Sequence, residues 1–168
     1  VMIMGIVYAS AGKTREKARR SQCISNLHQI GQALAMYRQD YGGSDAPAWP
    51  TQMDLPPNLL VLRNFTCGRL SRPSCRQIFF CPNDLQGTAA SSYGWNVWGA
   101  DDHLVAPMMR PSFPAIIARR QSDYPLMYDG NHDFHPIDRA PAKAKFHILL
   151  CLDGSVRQRL GTGPSWEW

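Results

Sequence analysis

The 168 residues suffice for one compact domain with one protruding element, and 44% hydrophobic against 18% charged residues provides a core and excludes a disordered chain. The net charge of +5 is local rather than spread: Lys13, Arg15, Lys17, Arg19 and Arg20 lie close together, offset only by Glu16. The 13 Gly and 13 Pro, found largely after Tyr41, argue for turns and short strands there and against a helical bundle.

The chain starts with an apolar stretch, Val1 to Ala11. Val1, Ile3, Met4, Ile6, Val7 and Tyr8, together with Met2, make it apolar nearly all round, as expected of a segment buried in lipid or among copies of itself. It is shorter than the roughly 20 residues that span a bilayer. The basic cluster follows it, whereas a secretory signal puts its basic residues first. An apolar stretch followed by Lys and Arg is the pattern of a helix leaving a membrane on its cytoplasmic side, and a solvated helix face is the alternative.

From Thr14 to Tyr41 there is no proline, and Cys23, Leu27, Ile30, Leu34, Tyr37 and Tyr41 recur at steps of four and three. This spacing predicts one helix with a single packing stripe, flanked by Ile24, Gly31 and Ala35. Gly42 and Gly43, then Asp45, Pro47 and Pro50, mark its end. A helix over 1–42 is about 60 Å long at 1.5 Å per residue. Its second half is expected to pack on a head formed by 43–168, and its first half to protrude.

Within the head, Leu59 to Leu62 fits a helical turn or a strand, and Arg76 to Cys81 reads as a strand closed by the turn Cys81-Pro82-Asn83-Asp84. Ser91 to Trp98 is expected to be extended, Ala115 to Arg119 to be a short strand or helical turn, and Tyr124 to Tyr128 a strand. Lys145 to Leu152 and Ser155 to Leu160 form the clearest hairpin, because Asp153-Gly154 supplies the positive backbone angles of a two-residue turn. The expected class is α+β, a long N-terminal helix laid on a small antiparallel sheet with long loops.

The run TREKARRSQCISNLHQIGQALAMYRQDYGG resembles the region after the membrane segment in bacterial type IV pilin-like proteins and type II secretion pseudopilins. Arg15 to Arg20, Cys23, Ser25-Asn26-Leu27, Gln29-Ile30-Gly31 and Tyr37 to Tyr41 carry the resemblance. Cys81-Pro82, Ser92 to Asn96 and the hairpin around Asp153-Gly154 are similar to that family's downstream pattern. Two of its usual histidine positions hold Lys143 and Ser155 here, and Val1 falls about halfway along the family's apolar segment. The resemblance implies a subunit held in the inner membrane, processed by a prepilin peptidase, and packed helix to helix with identical subunits into an extracellular filament. A minor tip subunit contacting cargo, sugar or DNA through its head is the alternative. A soluble nucleic-acid binder using Lys13 to Arg20 ranks last, and no specific nucleic acid is expected.

Cys23, Cys67, Cys75, Cys81 and Cys151 show no CxxC pairing, which argues against metal clusters and covalent haem and suits an oxidising compartment. A bridge between Cys67 and Cys75, and one between Cys23 and Cys81 tying helix to head, are the candidates among the three connectivities that four cysteines allow. Cys151 reads as a buried thiol. His28, His103, His132, His135 and His147 are each expected at the surface rather than as ligands. Asp129, Asn131 and Asp133 alternate oxygen atoms as calcium loops do, but without the glycine after the third ligand or a glutamate at the twelfth position; calcium is a candidate and no other cofactor is implied. There is no GxSxG context and no phosphate-binding glycine loop, so no catalytic activity is expected. The five tryptophans, Trp49, Trp95, Trp98, Trp166 and Trp168, read as core or subunit contact in preference to a stacking surface for sugars or bases.

Overall fold

The computed structural model describes residues 2–44, 46–67, 77–84, 91–97, 112–132 and 145–161, without the side chains at 2–11, 13, 67, 145 and 161. Helix α1 spans Met2–Tyr41, 40 residues, which is about 60 Å at 1.5 Å per residue. Its stop is local chemistry. Gly42 adopts φ +81°, and the Gly43 N–H then reaches the Arg38 carbonyl at 2.7 Å, satisfying a carbonyl the helix end leaves open. Among the described residues, no helix is long and apolar enough to cross a membrane.

Beyond α1 come a 3-10 turn at Leu59–Leu62, a short helix α2 at Arg63–Cys67 and a helix α3 at Phe113–Arg120. The Asn58 side chain caps the 3-10 turn by accepting the Leu60 N–H at 3.0 Å. Strands β1 (Gly94–Trp95), β2 (Pro125–Asp129), β3 (Lys145–Cys151) and β4 (Val156–Gly161) form one sheet in the order β1-β2-β3-β4, every pair antiparallel. The layout is the expected α+β, pilin-like one: a long N-terminal helix on a small antiparallel sheet.

One local reading is decided between its alternatives and two change. Ala115 to Arg119 is helical, because Phe113, Ile116 and Ile117 at spacings of three and four bury one face of α3, with Phe113 edge-on to Tyr124 at 5.5 Å. The segment read as a strand up to Cys81 is a turn over Gln77 to Phe80, where the Phe80 N–H meets the Gln77 carbonyl at 3.1 Å. The Asn26 amide donates to the Phe80 carbonyl, and the Ser91 hydroxyl and Ser92 N–H donate to the Phe79 carbonyl, so these groups need no ladder partner. The hairpin turn contains three residues rather than two. The Cys151 N–H bonds the Ser155 carbonyl at 2.9 Å, Gly154 takes φ +80°, and Leu152 is drawn inward by its N–H bond to Tyr124 at 2.9 Å.

The core lies between α1 and the sheet. Cys23, Leu27, Ile30 and Leu34 are buried along one stripe, as are Ala33 and the small Gly31. A Cβ on Gly31 would stand 3.0 Å from a Leu150 methyl, so glycine here lets the helix lie directly on the hairpin. Tyr37 is half-buried, edge-on to Phe65 at 5.4 Å and stacked on Tyr41 at 4.5 Å. Tyr41, expected in the stripe, is 59% exposed and stacks on the half-buried Tyr37 ring. Trp49 and Trp95 pack half-buried against the core, while Trp98, Trp166 and Trp168 lie outside the described residues.

Because Leu27 is fully buried and Met36 is 53% exposed on the same helix, truncation separates the two faces. Leu27→Ala is expected to lower unfolding free energy by about 2–5 kcal/mol and Met36→Ala by less than about 0.5 kcal/mol, measured by urea denaturation of each variant.

Candidate functional site at the helix–head junction

Where α1 first enters the core, three segments bring ionisable side chains together. Cys23 opens the buried stripe of α1. Cys81 starts the predicted turn, in which Pro82 sets the second position and the Asp84 N–H closes onto the Cys81 carbonyl at 3.0 Å. Asp129 ends β2, and its Oδ1 accepts the Asn131 N–H at 3.0 Å, a local turn that folds His132 back over its own carboxylate.

The result is a buried group. The Cys23 and Cys81 sulfurs are 3.1 Å apart, His132 Nε2 is 3.5 Å from Cys81 Sγ and 3.2 Å from Asp129 Oδ2. Asp129 and His132 are fully buried, Cys23 likewise, and Cys81 is 3% exposed. On the other side of the ring, Nδ1 lies 2.8 Å from Glu16 Oε1. Asn83 braces that contact, donating from Nδ2 to Glu16 Oε2 at 2.8 Å, while its backbone N–H points at Cys81 Sγ at 3.4 Å. Arg19 donates to Asn83 Oδ1 at 3.1 Å, and Arg20 pairs with Glu16 at 3.8 Å and lies over the Phe146 ring at 4.0 Å. Part of the basic cluster is therefore engaged with the head rather than only with solvent.

Burial resists charge at Asp129, His132 and Glu16, and their mutual contacts outweigh it. Burial pulls His132 down most strongly, yet Asp129, Cys81 and Glu16 together push it up to about 10. Burial raises Asp129, but His132 and the Asn131 N–H bring it below the usual carboxylate range. Glu16 is lowered in the same way, against burial, by Asn83 and His132. The hydrogen bond from Cys23 draws Cys81 down to about 7, opposed by burial and aided by His132, while donating that bond and being buried hold Cys23 up. At neutral pH an imidazolium thus sits between two carboxylates beside a polarised thiol pair.

Several expectations meet this geometry. The Cys23–Cys81 pair is brought together, but as two thiols: 3.1 Å exceeds the roughly 2.05 Å of a covalent bond. Cys151 is a buried thiol. The side chain of Cys67 and all of Cys75 lie outside the described residues, as do Asp133 and the side chains of Val1, Ile3, Met4, Ile6, Val7 and Tyr8. Of the calcium candidates, Asp129 turns its carboxylate into the core towards His132 and Asn131 presents its amide N–H groups to Asp129 Oδ1 and the Ser92 carbonyl, while Asp133 lies outside the described residues. His132 is fully buried and His147 is 4% exposed, so neither is a surface histidine: the turn at Asp129 folds His132 inward, and His147 on β3 lies beside the Tyr128 ring. Glu16 and Asn83 carried no functional reading in the sequence. Their signal is only that each flanks a cysteine segment: Glu16 stands two turns before Cys23 on α1, and Asn83 two residues after Cys81.

Asn26, one turn after Cys23, supports the cluster from below. It donates to Tyr93 Oη at 3.1 Å and to the Phe80 carbonyl at 3.3 Å, fixing the turn that carries Cys81. Asn26→Ala removes a buried donor from both groups and is expected to cost about 1–3 kcal/mol, measured by thermal or urea unfolding.

A family model described as a protein of unknown function (DUF1559) matches residues 12–59. No curated protein and no solved structure matches the chain. The family likeness lies on α1 from Gly12, on the stop at Gly42 and Gly43, and on the exit up to Leu59, and it is consistent with the pilin-like layout.

Proposed function

We propose that the chain is a structural subunit of a pilus or pseudopilus filament at the cell surface, polymerising through its apolar N-terminal helix after insertion in the inner membrane and processing by a prepilin peptidase. The observation that carries this reading is the mismatch between helix and head. α1 is 40 residues long, yet its first buried side chain among those described is Cys23, and Gly12, Thr14, Arg15, Lys17, Ala18 and Arg19 are exposed. At 1.5 Å per residue, Met4 lies about 28 Å along the axis from Cys23. The apolar stretch that precedes Gly12 therefore needs cover from lipid or from the same stretch of neighbouring copies, and its burial at about 25 cal/mol per Å² drives assembly. Repetition of one contact along a helical rise does not close, so fibres follow.

A structural rather than catalytic role also fits the junction cluster. Cys81 and His132 are the chemically reactive pair, and their near-complete burial gives a substrate no approach. The tip-subunit alternative is separated by stoichiometry, since a major subunit is abundant along the fibre; Trp49 and Trp95 are half-buried in the head, and Trp98, Trp166 and Trp168 lie outside the described residues.

Negative-stain microscopy of the chain under native conditions is expected to find fibres, and dispersed monomers alone would count against the reading. Ile6→Asp is expected to abolish fibres while leaving the unfolding free energy of the head within about 0.5 kcal/mol.

A further inference from the structure

We infer that Cys23, Cys81, Asp129 and His132 form a tetrahedral site for a zinc ion that staples α1 to the head. This inference stands apart from the filament reading and holds or fails without it.

Four donor atoms converge: two sulfurs, one imidazole nitrogen and one carboxylate oxygen, all within 4.8 Å of one another. Structural zinc takes four ligands, and thiolate, imidazole and carboxylate are all donors it accepts. The second polar atom of two of these ligands is already occupied. His132 directs Nδ1 to Glu16, the carboxylate–histidine arrangement that fixes the ring and leaves Nε2 for a metal. Asp129 commits Oδ1 to Asn131, whereas its buried Oδ2 faces the sulfur pair and His132 Nε2, the latter at 3.2 Å. Cys81 Sγ has the Asn83 N–H behind it.

A disulfide between Cys23 and Cys81 is the competing use of the same sulfurs. It uses the two sulfurs alone and gives no role to the imidazole nitrogen and carboxylate oxygen that converge on them. Tetrahedral zinc with bonds of about 2.3 Å sets its sulfurs about 3.8 Å apart, so the pair at 3.1 Å opens slightly on binding. The protons held by the thiols and by Nε2 leave to solvent as the ion enters. Because the ligands come from α1, the Cys81 turn and the end of β2, binding free energy becomes folding free energy at the one place where helix and head first meet.

The test uses the full chain, purified under reducing conditions without chelator. Elemental analysis is expected to find about one zinc per chain, and Co2+ titration of the metal-stripped chain to produce a thiolate-to-cobalt charge-transfer band. Cys81→Ser should weaken that band. Glu16→Gln, on a side chain one-third exposed, should leave the fold intact and lower Co2+ affinity by about 10–100-fold. A folded, reduced chain that takes up neither ion would overturn the inference. So would a Cys23–Cys81 disulfide found after non-reducing digestion in a chain that still binds no metal once reduced. If Cys81→Ser fails to fold, the titration of the unmodified chain and of Glu16→Gln decides.

Discussion

The contact between the buried stripe of α1 and strand β3 sets the rest of the molecule. Gly31 has no side chain, so a Leu150 methyl and the Gly154 carbonyl come within reach of the helix backbone, and the hairpin β3–β4 lies directly against it. Leu27, Ile30 and Leu34 then share a core with Ile148, Leu150 and Leu152. Everything on the far side of the sheet, including β2 and β1, is positioned by the register of β3. The helix is in this sense the floor on which the head is assembled, and among the described residues its buried side chains run from Cys23 to Leu34.

At the N-terminal limit of that stretch the packing changes character. Cys23 is the last core position, and above it Glu16, Arg19 and Arg20 meet Asn83, His132 and Phe146 through hydrogen bonds, an ion pair and a ring contact. Exposed ion pairs contribute little on their own. A fully buried histidine–aspartate pair with two thiols is different, because its desolvation has to be offset locally. The junction therefore combines an apolar stripe that carries most of the burial with a polar knot that fixes where along the helix the head begins.

Much of this was readable from local pattern. The stripe, the stop at Gly42 and Gly43, the Cys81-to-Asp84 turn and the Asp153-Gly154 hairpin each rest on residues close in sequence, and each formed at or within a residue or two of its expected place. Ile78-Phe79-Phe80 was not readable: a short apolar run fits a strand or a turn equally, and the choice was made by Asn26 and Ser92, far away in the chain. The junction cluster was hidden for the same reason. Glu16 and His132 are 116 positions apart and the two cysteines 58, so no spacing motif links them. His132 looked like a surface residue because a lone histidine in a polar loop normally is one; the Asx turn at Asp129 folds it inward.

We propose that the apolar start of α1 is sheltered by other molecules, since full burial among its described side chains begins at Cys23. Hydrogen exchange along α1 in the isolated chain tests it most directly. The account predicts strong protection from Cys23 to Tyr37, falling away towards Gly12 and the turns before it, with that N-terminal part becoming protected only on assembly. Uniform protection reaching Met2 in a lone monomer would contradict it.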